Sequence, residues 1–162
     1  MATAVSEQIA VVVKTRLALI TTANGYENTV SSVDRPTVKG VPSPEDYQIV
    51  LTQGDIIRNA EHSKPGSPPA TAWDMPFVIA AILRPSEADT TASDTLKNQF
   101  WGDVIKAITN ATPWHTFGGL AFNAMYGDVR NYQADDGSSA GFQLDLLVQF
   151  RTDENNPFTA RA

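Results

Sequence analysis

Hydrophobic residues recur at three- and four-residue steps in two separate parts of the chain. In residues 4–23 they line one face, and Asn24 and Gly25 then supply a helix stop. A similar stripe in residues 93–110 is ended by Pro113. The two stripes consist of Val5, Ile9, Val12, Val13, Leu17 and Ile20, and of Leu96, Phe100, Val104 and Ile108. The pattern predicts two amphipathic α-helices.

Elsewhere the hydrophobic pattern changes to a period of two, which is typical of β-strands. Residues 26–38 are rich in Thr, Val and Ser, residues 47–52 alternate, and residues 77–83 are apolar on both faces, as in a central strand. The closing unit reads as a long hairpin. Its strands alternate through Leu120, Phe122, Ala124 and Tyr126, and through Phe142, Leu144, Leu146, Val148 and Phe150.

Two segments have no regular period. Residues 53–74 are polar and rich in proline, which removes backbone donors and fixes φ, so they predict a long loop. Residues 153–162 predict a C-terminal tail. The whole chain, residues 1–162, therefore predicts a single α+β domain. Its sheet is mostly antiparallel, has two α-helices packed on one face, and closes with a long β-hairpin.

Composition narrows the classes of function. The 12 basic and 18 acidic residues give a net charge of −6, so the chain lacks the positive field of non-specific nucleic-acid binding. It has no cysteine, which excludes disulfides and thiolate metal sites. No apolar run approaches the ~20 residues that span a bilayer, and we expect a soluble protein.

Residues 137–141 match the G-x-S-x-G pattern of a hydrolase nucleophile elbow around Ser139. That elbow needs a helix after the serine and a histidine later in the chain, whereas His62 and His115 both precede it. A turn explains the pattern better. The acidic residues around Asp128 lack EF-hand spacing. We therefore expect no catalytic, metal or cofactor site and predict that the protein is not an enzyme.

The second face of the predicted sheet is only partly polar. Val50, Met125 and Leu147 interrupt it between Gln, Asn, Asp and Thr side chains. A mixed face of this kind predicts contact with another subunit. The alternative is that the loop of residues 53–74 folds over it. Val50, Met125 and Leu147 are therefore the candidate subunit interface.

The layout resembles the tail terminator (tail completion) proteins of long-tailed bacteriophages. Similar features are an opening Ile/Val/Leu helix, a second helix, and a closing strand that runs through an aromatic residue into Arg-Thr and then Pro. The residues that carry this resemblance are 8–17, 24–26, 33–36, 47–51, Leu96, 103–108, 146–152 and 156–158.

The resemblance implies a hexameric ring at the head-proximal end of the tail tube in the virion. Such a ring ends tube polymerisation, gives the neck or connector a docking surface, and lets DNA pass through its lumen without specific binding. It also implies that loops contact the partners above and below, for which the candidates are Lys64, Pro65, Pro68, Asp135, Asp136, Arg151 and Phe158. A head–tail adaptor, neck or tail-tube subunit is the alternative, followed by a small-ligand binding domain.

Overall fold

The computed structural model describes residues 2–37, 46–66, 69–84, 90–134 and 138–161. In these ranges the chain forms the α-helices α1 (Val5–Ala18) and α2 (Ser93–Thr109), and 3₁₀ turns at Thr22–Asn24 and Trp114–Gly119. The seven strands of the same ranges are β1 (Ser32–Asp34), β2 (Tyr47–Gln53), β3 (Ile57–Lys64), β4 (Ala70–Leu83), β5 (Asn123–Gln133), β6 (Ala140–Asp153) and β7 (Asn156–Ala160).

The strands form one sheet in the order β1-β2-β4-β6-β5. β1 runs parallel to β2, and every other described pairing is antiparallel. β3 pairs with the first part of β4, beyond the end of β2, and β7 pairs with the last part of β6, beyond β5. The predicted α+β class is therefore confirmed, with one parallel pair that the sequence did not indicate.

The long central strands β4 and β6 are joined residue by residue from Ala70↔Asp153 to Leu83↔Ala140. Alternate side chains on one face, such as Phe77, Ile79, Leu144 and Leu146, are buried under the helices. We call this the inner face and the opposite one the outer face. This alternation is the period-two pattern expected of a sheet with one face in the core.

α1 and α2 cover the inner face. The buried residues of α1 are Val5, Ile9, Ala10, Val13 and Leu17, and those of α2 include Leu96, Val104 and Ile108. Phe100 joins α2 to the sheet, because its ring lies 5.4 Å from the ring of Tyr47 and 5.8 Å from that of Phe142, both edge to face. The two helices and the inner face therefore share one hydrophobic core.

A buried carboxylate fixes the segment after α1 against α2. Asp103 accepts hydrogen bonds from the Glu27 N–H (3.1 Å), the Asn28 N–H (2.8 Å) and the Asn28 side-chain amide (2.9 Å). Burial and the nearby Asp103 both raise the pKa of the Tyr26 hydroxyl. These charge-assisted hydrogen bonds from two successive backbone N–H groups hold the segment around Glu27 and Asn28 in place, although it is not part of a strand.

The first helix and the first strand are shorter than the sequence predicted. α1 ends at Ala18, and the separate 3₁₀ turn Thr22–Asn24 precedes Gly25, whose φ of 80° is the left-handed stop that was expected. Only Ser32–Asp34 of the predicted strand 26–38 forms β1. Glu27 and Asn28, earlier in that segment, are instead hydrogen-bonded to Asp103 of α2. Residues 38–45 lie outside the described residues.

The prediction of a long loop over residues 53–74 was wrong. Gln53 ends β2, Ile57–Lys64 forms β3, and β4 already begins at Ala70. The backbone groups on one side of the first part of β4 need a hydrogen-bonded neighbour, and β3 supplies it. The polar sequence of β3 is compatible with this because an edge strand buries few of its side chains. Pro65 lies beyond the end of β3, where no ladder donor is lost.

The short link between β2 and β3 lies opposite Pro76 of β4. The Gly54 N–H donates to the Pro76 carbonyl at 2.8 Å, and a Cβ on Gly54 would lie 3.0 Å from the proline ring. Pro76 cannot donate a ladder bond, so the neighbouring strand is interrupted at its level. The predicted C-terminal tail was also wrong in part, since Asn156–Ala160 forms β7 on β6.

Gly141 of β6 offers a test of how tightly the sheet is packed. A Cβ there would lie 2.1 Å from the Ala81 carbonyl oxygen and 2.5 Å from the Tyr132 hydroxyl oxygen, so the backbone of β4 would have to move. We predict that Gly141→Ala lowers the free energy of unfolding by about 1–3 kcal/mol, measured by urea denaturation.

Gly102→Ala is the matched control, because a Cβ at this position in α2 has nothing within 4 Å. Alanine is the better helix former, so this change should raise the free energy of unfolding by about 0.5–1 kcal/mol. Equal stability of the two variants would show that β4, β6 and β5 are less closely packed at Gly141 than described.

Candidate assembly surface

The outer face of the sheet carries a row of apolar side chains across the central strands β4 and β6 and the edge strand β5. Leu147 of β6 lies between its cross-strand partners Pro76 of β4 and Met125 of β5. Met125 is 47% exposed, while Pro76 and Leu147 are half-buried. Two of the three predicted interface residues, Met125 and Leu147, are therefore direct neighbours.

The third, Val50, belongs to the same surface but lies further along the sheet. It pairs with Ala80, and the alternate outer residues of β4 lead from there through Val78 to Pro76. The outer band, as we call it, thus consists of Val50, Ala80, Val78, Pro76, Leu147 and Met125. It crosses the sheet diagonally from β2 to β5, on the face opposite α1 and α2.

A polar ladder borders the outer band on the next row. Asn59 donates to both carboxylate oxygens of Asp74 (3.0 and 3.1 Å), Gln149 donates to Asp74 (2.9 Å), and Asn123 donates to Gln149 (2.8 Å). These bonds link β3, β4, β6 and β5 side by side. Because each of these side-chain amide groups donates to a neighbouring strand of the same subunit, the ladder helps to fix the strand register.

A charged edge borders the band on its other side. Arg130 of β5 pairs with Asp145 of β6 at 2.7 Å, and both side chains remain largely exposed. An exposed pair of this kind adds little to stability, about 0–1 kcal/mol. An apolar centre with a polar, hydrogen-bonded rim is the composition of a protein–protein contact.

Of the predicted partner-contact residues, some are exposed at one end of the sheet, some lie outside the described residues, and Arg151 makes contacts within its own subunit. Lys64 and Pro65 are exposed at the end of β3, and Phe158 is 48% exposed on β7. Lys64 pairs with Ala70, the partner of Asp153, so these residues share one end of the sheet. Pro68, Asp135 and Asp136 lie outside the described residues.

Arg151 is engaged within its own subunit. Its guanidinium lies 3.9 Å from the centre of the Phe122 ring, and its Nε donates to the His62 carbonyl at 2.9 Å. The His62 and Phe122 rings also meet edge to face at 5.7 Å. Arg151 of β6 therefore links β3 to Phe122, the residue before β5, through a cation–π contact that the sequence pattern did not indicate.

The sequence also missed an apolar pocket beside the start of α1. Its volume is about 190 Å³, and its lining includes Ile56, Trp73, Phe150 and Pro157. It is smaller than the ~300–1,000 Å³ typical of small-ligand sites. The pocket could not be predicted from the sequence because Ile56 and Pro157 lie in the segments that were predicted to be a loop and a tail.

Ser139 is followed directly by β6, where a nucleophile elbow would have a helix. Across the described ranges, no group of three or more His, Cys, Asp or Glu side chains could hold a metal ion. Within the same part of the chain, neither helix is long and apolar enough to cross a membrane. No protein-family model matches the chain, and no curated protein matches it significantly.

Leu147 lies at the centre of the outer band's widest row, so a charge there tests whether assembly buries the band. If the band is a subunit contact, as the sequence predicts, Leu147→Glu should abolish the oligomer in light scattering and leave the circular dichroism unchanged, because a carboxylate cannot be buried unpaired between subunits. Gln99→Glu, an exposed position on α2 on the opposite side of the sheet, is the control and should assemble normally. An assembled Leu147→Glu variant would exclude burial of the band between subunits.

Proposed function

We propose that the chain is a structural virion protein of the tail-terminator type. In this proposal it forms a ring at the head-proximal end of a phage tail, ends polymerisation of the tail tube, and presents a docking surface for the neck or connector. The outer band is the single observation that carries the proposal, because it is an apolar surface opposite the helices with a polar rim. Such a surface favours burial against protein.

The placement of the segments that resemble tail terminators supports the proposal. Residues 8–17 lie in α1, residues 103–108 lie in α2, and residues 146–152 lie in the central strand β6. These segments build the shared core and are not confined to one surface loop. The resemblance therefore concerns the framework of the subunit, which is the part that would define a common ring-forming unit.

The shape of the sheet supports contacts on two sides of a ring. One end of the sheet exposes Lys64, Pro65 and Phe158, while the paired residues Gln133 of β5 and Ala140 of β6 lie at the other end. We assign these two ends to the partners above and below, the neck or connector and the tail-tube protein. The net charge of −6 fits a lumen through which DNA passes without being bound.

Imaging of the purified chain tests the proposal. Negative-stain micrographs should show closed rings at micromolar concentration, and sixfold symmetry with the height of a single layer would favour a terminator. Stacked rings or long tubes would favour the alternative, a tail-tube subunit. A monomer under these conditions contradicts both structural readings.

A functional assay separates a terminator from a head–tail adaptor. Added to a polymerising tail-tube protein, the ring should cap the tubes and stop their growth, as measured by the length distribution in micrographs. The Leu147→Glu variant, which should not form rings, provides the matched control. Tubes that grow equally long with and without the wild-type protein would overturn the terminator role.

A further inference from the structure

β5 forms the edge of the sheet and is unusual in exposing large apolar side chains on both of its faces. Met125 lies on the outer face, and Tyr126 and Val129 lie on the inner one, with exposed fractions of 47%, 44% and 38%. Among the described strands β5 pairs only with β6, so its other backbone edge has no strand beside it. An uncovered apolar edge strand is a template for pairing with another chain.

The register shows which peptide groups of β5 point outward. The Ala134 N–H donates to the Ser139 carbonyl at 2.9 Å, in the register Gln133↔Ala140. In an antiparallel ladder the hydrogen-bonded and non-hydrogen-bonded pairs alternate. The peptide groups of Arg130 and Tyr132 therefore point toward β6, and that of Asn131 points to the free edge.

The opposite edge of the sheet is complementary in direction. Through the order β1-β2-β4-β6-β5, with β1 parallel to β2 and the rest antiparallel, β1 runs antiparallel to β5. A neighbouring subunit in the same orientation would thus offer β1 to β5 in the antiparallel sense. Like β5, β1 pairs with only one strand among the described residues.

The cross-strand register shows which residues would lie opposite each other if two copies were placed side by side without a shift along the strands. One row runs Val33–Ile49–Ala81–Phe142–Asn131, which brings Asn131 of one copy opposite Val33 of the next. The adjacent row brings Arg130 opposite Asp34, both on the outer face. Arg130, which pairs with Asp145 in its own subunit, would there also face Asp34, whose carboxylate accepts from Ser32 and Gln48. Opposite charges across the junction favour this pairing over two β5 strands meeting each other.

Two copies standing level in this way would also place the exposed inner-face side chain of Tyr126 opposite a recess. Tyr126 shares a row with Gln53 of β2, through Leu146 and Phe77. Beside Gln53, where β1 has ended, lies a groove of about 330 Å³ whose lining includes Arg35 and Pro36. In the level arrangement Tyr126 of one copy faces this groove of the next.

We propose that β5 of one copy adds antiparallel to β1 of a second copy, so that the sheet continues from subunit to subunit. The contact uses two different surfaces, so it propagates head to tail and closes into a ring when the rotation allows. It also leaves Met125 of one copy and Val50 of the next on the same outer face, on either side of the junction, with Leu147 beside Met125 on the neighbouring strand. This inference rests on the self-assembly required by the proposed function.

Disulfide trapping tests the contact, because the chain has no cysteine of its own. Within one subunit Arg130 and Asp34 lie on opposite edges, roughly 19 Å apart at four strand spacings, beyond the reach of a disulfide. On mild oxidation the double variant Arg130→Cys/Asp34→Cys should give a ladder of covalent multimers up to the size of the ring. Each single variant should give no ladder, and dimers of Arg130→Cys alone would indicate β5–β5 pairing and overturn the proposal.

Blocking the free edge gives an independent test. Asn131→Pro removes an N–H that points away from β6, so the subunit should keep its fold by circular dichroism and lose the oligomer in light scattering. Asn131→Ala keeps that N–H and should assemble as the wild type does. Wild-type rings together with assembled Asn131→Pro and no disulfide ladder would refute the strand contact alone, whereas a monomeric wild type would refute the proposed function as well.

Discussion

Fourteen consecutive residue pairs join β4 to β6. The positions of the other strands and of the two helices depend on this pairing. At about 3.3 Å per residue the ladder spans a greater distance than either helix does at about 1.5 Å per residue, so it extends past the core at one end. There β3 and β7 pair with the parts of β4 and β6 that β2 and β5 leave open. The polar ladder through Asp74 and the stack of Arg151 on Phe122 then fix the register of that extension.

The same ladder separates the two faces of the molecule. Side chains alternate strictly along β4 and β6. Each residue that packs into the core beneath α1 and α2 is therefore followed by one on the outer face. These outer residues form the apolar outer band and its polar rim. A one-residue slip would exchange the two faces, so the core that folds the subunit also fixes the surface that we assign to assembly.

The sequence indicated the parts of the fold whose periodicity is driven by the core. The stripe of Leu96, Phe100, Val104 and Ile108 predicted α2 almost to its ends, and the alternation from Phe142 to Phe150 predicted β6. β3 was missed because an edge strand with polar side chains on both faces has no hydrophobic period to read. The same reason hid β7, and the parallel pairing of β1 depends on contacts distant in sequence.

Much less of the candidate surface could be predicted. Met125 and Leu147 were paired correctly on one face, since parity alone decides that, whereas the interaction of Arg151 with His62 and Phe122 depends on the unexpected β3. The free edge of β5 was invisible because strand order is a property of the whole sheet. An edge strand that is apolar on both faces resembles, in sequence alone, a strand of the interior.

Self-assembly into a closed ring is the central claim, and the mass of the native particle measures it most directly. Native mass spectrometry of the purified chain should give one dominant species at a fixed integer multiple of the chain mass, six if the resemblance to tail terminators holds. Its population should remain constant on moderate dilution, as expected of a closed ring with no free ends. A species at the mass of a single chain, or a continuous series of open oligomers, would contradict the account.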